Sequence, residues 1–220
     1  MFNIAIDGPS ASGKSTIAKA LAKALNFTHI DTGSMYRAIA YLCISSNIDL
    51  NDEKAVVDKC SQTRLRLLSD GSIEANGQDL SYLIRNDQVS KGASMVSKYK
   101  EVRSILVDQQ RQIAAAKGFV LDGRDITSVV LPDAEVKIFQ TADVAVRAKR
   151  RFDEMIKNGQ NVVYDDVFND LVERDLRDTT REESPLIKVP GALEIDTTYL
   201  TIEEIVELVM NYIESRGLND

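Results

Sequence analysis

Residues 8–16 read GPSASGKST and contain the residue types that can wrap a polyphosphate. They match the pattern G-x-x-x-x-G-K-[ST], in which a glycine-rich loop turns its backbone N–H groups toward phosphate oxygens. The pattern directs Lys14 to the β- and γ-phosphates and the Ser15 hydroxyl to Mg²⁺. A nucleoside triphosphate is therefore predicted to bind the whole loop, namely Gly8, Pro9, Ser10, Ala11, Ser12, Gly13, Lys14, Ser15 and Thr16.

The rest of the sequence limits the classes of nucleotide-binding protein to which this chain can belong. A guanine-reading N-K-x-D stretch, expected in a GTPase switch, is absent, and a motor or transporter ATPase would have a longer chain or partner modules. A small-molecule kinase fits best, because phosphoryl transfer brings two polyanions together and needs Arg, Lys and Mg²⁺ around them. Two alternatives stay open: a kinase of another monophosphate or metabolite, and a regulatory protein that uses the loop as a switch.

Arginines are concentrated in residues 147–181. Composition alone favours solvated, salt-bridged helix faces, and Arg177 is predicted to be solvated. Beside a phosphate loop, however, the segment becomes a candidate lid over the triphosphate. Spacings of three and four place two groups on helix faces: Arg147, Arg150 and Arg151, then Arg174, Asp178 and Arg181.

Residues 119–125, FVLDGRD, read as a buried strand that ends in charged side chains. Ligands bind beyond the carboxyl ends of strands in open parallel sheets, so these charges are candidates for ligand contacts. Asp122 either makes a water-mediated contact to Mg²⁺ or caps the next turn. Asp125 either contacts a ligand or holds Arg124 in place through a local ion pair.

The elements that position these residues alternate between strand and helix. Short apolar strands are predicted at FNIAIDG, HID, GFVLD, EVKIF and ALEID, and helices at residues 14–25, 35–44 and across 86–117. A Thr-x-x-Glu capping box at Thr201 and Glu204 begins a C-terminal helix. Continuous apolar strands that alternate with helices predict an α/β fold with a parallel sheet covered on both faces.

The pattern changes over residues 63–84. The pieces TRLRLLS, SIEANG and DLSYLI are strand-like and are separated by DG and NG, which are strong hairpin turn signals. We therefore expect a small antiparallel β element inserted into the chain.

Length and composition suit one domain over residues 1–220, since 44% of the residues are hydrophobic. A net charge of −7 argues against a broad basic face for a nucleic acid polymer. Apolar runs are too short to span a bilayer and MFNIAIDG lacks the features of a signal peptide, so a cytoplasmic protein without a membrane partner is expected. Cys43 and Cys60 are expected to be reduced thiols, and the single histidine, His29, is given no functional role.

Together the motifs IDGPSASGKST, DTGSMYR, LDGRDITSVVLPDA, VKIF and RDLRDTTREESPL resemble the bacterial cytidylate kinases over essentially the whole chain. That family comprises nucleoside monophosphate kinases with the P-loop kinase fold. The resemblance implies transfer of the ATP γ-phosphoryl group to CMP or dCMP, giving ADP and CDP or dCDP in pyrimidine nucleotide metabolism. It also implies Mg²⁺ as cofactor, a monomer, a monophosphate-binding region over residues 31–103 that contains the β insert, and a helical lid over 147–181.

The resemblance also implies roles for individual residues. Thr32, Tyr36 and Arg37 would close on the acceptor phosphate, and Ser94 and Arg103 would help to read the base, although SKYKEVR has lysine where many relatives have proline. Arg124 would bind phosphate and Asp125 cytosine, while Arg174, Asp178 and Arg181 would contact the sugar and the neighbouring phosphate. The expected catalytic cations are Lys14, Arg124, Arg151 and Arg181, with Ser15 and Asp122 at the metal.

Overall fold

The computed structural model describes residues 1–68 and 71–218 of the chain. Its centre is a five-stranded sheet in which all neighbouring strands are parallel. The strands are β1 (Ile4–Asp7), β2 (Thr28–Asp31), β6 (Phe119–Gly123), β7 (Val136–Thr141) and β8 (Leu193–Asp196), in the spatial order β2-β6-β1-β7-β8. All five predicted strands are confirmed.

The described part of the chain contains eight α-helices. They are α1 (Lys14–Leu25), α2 (Thr32–Ser45), α3 (Glu53–Ser61), α4 (Asp87–Val96), α5 (Lys100–Ala114), α6 (Val144–Lys157), α7 (Tyr164–Thr180) and α8 (Ile202–Ser215). A π-helical turn, Ile126–Val130, follows β6. The predicted capping box is confirmed, because the Thr201 side chain accepts from the Glu204 N–H and the Glu204 side chain accepts from the Thr201 N–H.

The two faces of β1 pack against different helices. Ile4 and Ile6 belong to a core with α1 and α8. Ala5, between them, belongs to a core on the other face with Val107 of α5 and Ile126 of the π-helical turn. Successive side chains of a strand point to opposite faces, so burial on both sides explains why this strand has no polar residue before Asp7. The predicted α/β fold, a parallel sheet with helices on both faces, is confirmed.

A third core is formed by the helices α2, α3, α4 and α5 together with the inserted β element. Strands β3 (Leu65–Leu67), β4 (Ile73–Ala75) and β5 (Gln78–Asp79) form the predicted small antiparallel sheet. The Asn76–Gly77 turn has positive φ at both residues, 53° and 83°, as the hairpin signal requires. The other predicted turn includes Asp70, which lies outside the described residues.

Two details of the sequence-based prediction are wrong. DLSYLI is not a strand, because the Asp79 carboxylate accepts from the Ser81 N–H at 2.8 Å and so closes a turn that ends β5. Helix α3 was not predicted, although Asp52 caps it by accepting from the Ala55 N–H at 3.0 Å. The two cysteines, Cys43 and Cys60, are buried free thiols, as expected. Over residues 1–68 and 71–218, no helix is long and apolar enough to cross a membrane.

Candidate active site

The phosphate loop runs from the end of β1 to the start of α1. Gly8 passes so close to β7 that a Cβ there would lie 2.0 Å from the Gln140 carbonyl oxygen, which only glycine avoids. The Ser12 carbonyl accepts from the Gln140 amide and, at 3.0 Å, from the Thr197 hydroxyl. The ends of β7 and β8 therefore hold the shape of the loop before any nucleotide binds.

Lys14 lies at the start of α1 and is 5% exposed. Its Nζ donates to the carbonyl of Pro9 at 2.7 Å, so it folds back over its own loop. The pKa of Lys14 is lowered to about 7, first by burial and then by the positive charge of Arg124, against the opposing effect of Asp122. An anion beside Lys14 would reverse this unfavourable balance.

A cavity of about 410 Å³ extends from the phosphate loop toward α4 and α5. Most of the predicted site residues line it. They are Ser10, Ala11, Gly13, Lys14, Ser15, Thr16, Thr32, Tyr36, Arg37, Ser94, Arg103, Asp122, Arg124, Asp125, Arg151, Arg174, Asp178 and Arg181. Gly8, Pro9 and Ser12 lie outside this lining. Within the loop, the Pro9 carbonyl accepts from the Ser12 hydroxyl at 3.1 Å and from Nζ of Lys14.

A corner of the cavity holds hard oxygen donors of the type that Mg²⁺ prefers. The Ser15 hydroxyl donates to Oδ2 of Asp122 at 2.8 Å. Nε2 of His29 lies 2.7 Å from the other oxygen, Oδ1, and the Thr32 hydroxyl donates to the Asp122 carbonyl at 2.8 Å. The Asp122 carboxylate thus contacts Ser15 and His29 and does not cap the following turn. A hydroxyl and a carboxylate beside a phosphate loop fit a magnesium ion.

The far end of the cavity contains a buried ion pair between Arg103 of α5 and Asp125. The Arg103 guanidinium also lies 5.4 Å from the centre of the Tyr36 ring and donates to the Ser97 carbonyl at 3.1 Å. Three buried polar atoms here, Tyr36 OH, Ser94 Oγ and Arg103 Nε, have no hydrogen-bond partner among the described residues. Unsatisfied buried donors in a cavity indicate a place for a polar ligand.

Arginines surround a single carboxylate in the middle of the cavity. Nε of Arg124 donates to Oδ2 of Asp178 at 2.9 Å, and Arg181 and Arg174 lie 3.8 and 4.0 Å from Asp178 oxygens. Burial would raise the pKa of Asp178, but these arginines hold it below its ordinary value. Asp125 therefore does not hold Arg124 in place; Asp178 does.

The positive charge here exceeds what Asp178 neutralises. Burial lowers the pKa of Arg174 to about 10, and the repulsion of Arg124 contributes to the same shift. Arg181 is shifted in the same direction, first by burial and then by Arg103. Cations that depress one another's pKa values would be relieved by a polyanion, so the charge pattern suits phosphate groups.

Arg37 is positioned by a residue that was not predicted. Asp31 accepts from NH2 of Arg37 at 2.5 Å, and NH1 of Arg85 lies 3.5 Å from the same oxygen. Burial would raise the pKa of Asp31, but Arg37 and Arg85 hold it below its ordinary value. Arg85 also lines the cavity. Asp31 and Arg37 lie in the DTGSMYR motif, so their spacing of six was a usable signal, whereas Arg85 is brought in only by tertiary structure.

The three arginines of α6 do not act together, contrary to prediction. Only Arg151 lines the cavity. Arg147 donates to the Ser10 and Ala142 carbonyls and lies 2.7 Å from Asp175, while Arg150 donates to the Thr197 carbonyl at 2.7 Å. Successive residues of an α-helix lie about 100° apart around its axis, so the side chains of Arg150 and Arg151 point in different directions. Arg147 lies one helical turn closer to the phosphate loop than Arg151 does.

Arg177 of α7 lines the cavity, but its side chain is 51% exposed and lies 3.7 Å from Glu173.

Ion pairs cross the mouth of the cavity between α4 and the two arginine-bearing helices. Lys91 of α4 lies 2.7 Å from Asp170 of α7, and Arg151 of α6 lies 3.9 Å from Asp87 of α4. The side chains of Lys91 and Asp170 are 55% and 48% exposed and those of Arg151 and Asp87 are 28% and 41% exposed, so each pair contributes little to stability. Neither Lys91 nor Asp170 belonged to a motif, and sequence reasoning did not identify them.

Comparison with known proteins gives a consistent result over the whole chain. A family model described as cytidylate kinase matches residues 4–215. The chain is 44% identical to the cytidylate kinase of Bacillus subtilis, over 98% of both chains. It is 48% identical to the cytidylate kinase of Caldanaerobacter subterraneus subsp. tengcongensis, over 96% of this chain and 93% of the relative.

Among solved structures, an uncharacterized protein from Eubacterium ventriosum matches with a TM-score of 0.55 and 15% identity, over 98% of this chain and 99% of the other. A sugar kinase from Janibacter sp. HTCC2649 matches with a TM-score of 0.50 and 10% identity, over 100% and 99%. At this level of identity the likeness concerns the fold alone.

Proposed function

The chain belongs to the cytidylate kinase family and phosphorylates CMP or dCMP, and we propose that its two nucleotides bind at opposite ends of the cavity described above. ATP binds with its phosphates on the loop of residues 8–16, and the acceptor binds toward Arg103 and Asp125. The γ-phosphoryl group passes directly to the acceptor 5′-phosphate, which gives ADP and CDP or dCDP.

The observation that supports this arrangement best is the crowding of Lys14, Arg124 and Arg174. Burial lowers the pKa values of Lys14 and Arg174, and Arg124 lowers both further. Such a cluster is costly in the free protein and favourable once two phosphorylated nucleotides bring their negative charge to it. Positioning and charge stabilisation supply most of the catalysis of phosphoryl transfer, so no covalent intermediate is needed.

Each cation has a proposed place in the transfer. Lys14 contacts the β- and γ-phosphates, and Arg124 contacts the acceptor phosphate from the opposite side. Arg151 and Arg181, on the helical lid over residues 147–181, contribute charge as the phosphoryl group moves. Closure of the lid excludes water and so limits hydrolysis of ATP.

The acceptor is proposed to bind along a second set of residues. Thr32, Tyr36 and Arg37 contact its phosphate, and Arg174, Asp178 and Arg181 contact its sugar and the phosphate beside it. At the base, the Asp125 carboxylate accepts from the N4 amino group of cytosine, and Ser94 and Arg103 supply further hydrogen bonds. The unsatisfied Oγ of Ser94 and Nε of Arg103 support this placement.

We propose that Ser15 and Asp122 hold Mg²⁺, Ser15 directly and Asp122 through water. The ion would neutralise charge on the β- and γ-phosphates when bound. The Asp122 carboxylate is held in place on two sides, by Ser15 and His29, and this supports its role as a fixed acceptor for ion-bound water. Because the residues assigned to both nucleotides come from one chain, we also propose that the enzyme acts as a monomer on free nucleotides.

A coupled assay of ADP release tests the proposed reaction. CMP, dCMP, UMP, AMP and a reaction without acceptor are compared, with Lys14→Met as the background control. We expect rapid turnover with CMP and dCMP, much slower turnover with UMP, and ATP hydrolysis close to background without acceptor. Preference for another acceptor would contradict the proposal, and a lack of multiple turnover with every acceptor would favour a regulatory nucleotide switch.

A further inference from the structure

Asp7 is a completely buried carboxylate at the end of β1, next to Gly8 of the phosphate loop. It does not belong to the residues that line the cavity. Its Oδ1 accepts from the Ile126 N–H at 2.8 Å, and its Oδ2 accepts from the Thr127 N–H at 2.7 Å and the Thr127 hydroxyl at 2.6 Å. A buried charge with three short hydrogen bonds is a strong, directional anchor.

These contacts fix the position of a short segment of the acceptor site. The backbone of Asp7 is opposite Gly123 in the β1–β6 pairing, while its side chain holds Ile126 and Thr127. Only Arg124 and Asp125 lie between these two attachment points. A Cβ on Gly123 would lie 2.7 Å from both Ile126 Cδ1 and Thr32 Oγ1, so the chain also turns too tightly there to shift freely.

We propose that Asp7 is a positioning residue for acceptor recognition, which sets the location of Arg124 and Asp125 without contacting either nucleotide. This inference rests on the proposed binding of the acceptor phosphate by Arg124 and of cytosine by Asp125. Displacement of this segment moves Asp125 relative to Arg103 and Arg124 relative to Asp178. Acceptor binding and base discrimination therefore depend on Asp7 more than ATP binding does.

The charge state of Asp7 is consistent with this role at neutral pH. Burial raises its pKa to about 6, while the hydrogen bonds from Thr127 and Ile126 oppose the rise. The charged groups that face it are Asp125, which raises its pKa, and Lys14, whose own pKa Asp7 raises. Asp7 is thus ionised and able to accept all three hydrogen bonds near pH 7.

The test uses substitutions that keep the shape of the side chain. Asp7→Asn places an amide N–H against a backbone N–H, and Thr127→Val removes only the hydroxyl that donates to Asp7. Thr127→Ser keeps that hydroxyl and serves as the rescue variant. Asp52→Asn is the matched control, because it alters a carboxylate that caps the backbone of α3 away from the cavity.

For each variant the kcat/KM values for CMP and UMP, the KM for ATP and the Tm are measured. We expect Asp7→Asn to raise the KM for CMP about tenfold and to narrow the CMP-to-UMP ratio by a similar factor, with the KM for ATP changed less than about threefold. Thr127→Val should show a smaller effect that Thr127→Ser restores, so the inference remains testable if Asp7→Asn fails to fold.

Three outcomes would overturn the inference. A lower Tm with an unchanged CMP-to-UMP ratio in Asp7→Asn or Thr127→Val would make Asp7 purely structural. An equal rise in the KM values for ATP and CMP would assign it to the phosphate loop instead. A wild-type enzyme inactive toward CMP would overturn the proposed function as well, which separates that failure from the other two.

Discussion

The carboxylate of Asp125 forms a buried ion pair with the guanidinium of Arg103, 22 residues earlier in the chain. Both side chains are less than a tenth exposed. Each charge therefore depends on the other in the free protein, since an unpaired buried charge is costly. The pair also presents one acceptor and one donor group side by side at the end of the cavity, as recognition of cytosine requires.

The first prediction concerns the base. Cytosine offers an N4 amino donor where uracil offers an O4 acceptor, so only cytosine satisfies the ionised Asp125. Asp125→Ala should lower kcat/KM for CMP about a hundredfold and that for UMP by less than about tenfold, because the lost contact is a hydrogen bond to a charged group. Steady-state kinetics with both acceptors measure the ratio.

The same substitution leaves Arg103 without its partner, so a general loss of stability must be separated from a loss of specificity. Arg103→Met breaks the pair from the other side and leaves Asp125 in place. The Tm should fall in both variants, by an amount that reflects roughly 3 kcal/mol. A proportional loss with CMP and UMP in Asp125→Ala would make the pair structural.

The second prediction concerns Lys14. Lys14→Met should lower kcat at saturating ATP and CMP by at least about a thousandfold, because the ammonium stabilises charge that grows during transfer. The fold should remain intact, since burial of this charge is unfavourable in the free protein. Single-turnover kinetics and circular dichroism check both parts. A variant with wild-type kcat would show that the loop does not bind the transferred phosphoryl group.

The third prediction follows from the pKa of Lys14, which burial lowers to about 7 in the folded protein from 10.5. Between these pH values the unfolded chain binds more protons than the folded one, so the free energy of unfolding rises with pH. From pH 7 to pH 9 the rise attributable to Lys14 should be about 1–3 kcal/mol.

Urea unfolding at both pH values, on wild type and Lys14→Met, isolates this contribution. Tyrosines and cysteines also titrate in the range, but they are common to the two proteins and cancel in the difference. The variant should have the flatter dependence. Parallel pH curves for the two proteins would mean that Lys14 keeps an ordinary pKa when folded.

Local patterns predicted the parts of the site that are continuous in sequence. The loop at Gly8–Thr16 and the strand end at Arg124 and Asp125 depend on neighbours in the chain, so a motif specified them. The partners of these residues depend on tertiary packing. Spacing on a helix predicted a common face for Arg147 and Arg151. Arg147, however, donates to the Ser10 carbonyl and forms an ion pair with the Asp175 carboxylate, and it does not line the cavity.

The fourth prediction concerns the lid over residues 147–181. Arg174 and Arg181 are crowded by other cations, so this part of α7 should be less protected from hydrogen exchange without ligand than with a bisubstrate analogue. Arg147 and Arg150 are already bound to backbone carbonyls, so the start of α6 should change less. Helix α8, which packs away from the cavity, is the internal control. Equal protection of α7 in both states would favour solvated, salt-bridged helices.

The last prediction concerns His29, to which sequence reasoning assigned no role. Its Nε2 lies 2.7 Å from Oδ1 of Asp122, while Ser15 contacts Oδ2. The two contacts fix the carboxylate. The loss of a group that orients a metal-binding residue commonly weakens metal affinity about tenfold or more. His29→Leu should therefore weaken binding of the metal–nucleotide complex, whereas His29→Gln keeps a polar group toward Asp122.

Binding of Mn²⁺ with a non-hydrolysable ATP analogue, followed by electron paramagnetic resonance, measures this without turnover. We expect about a tenfold weaker affinity for His29→Leu and less than about a threefold change for His29→Gln. Binding of the analogue without metal should be similar in all three proteins, because Lys14 and the loop backbone are unchanged. Equal Mn²⁺ affinity in His29→Leu and wild type would mean that Ser15 alone holds Asp122 in place, or that Asp122 does not face the ion.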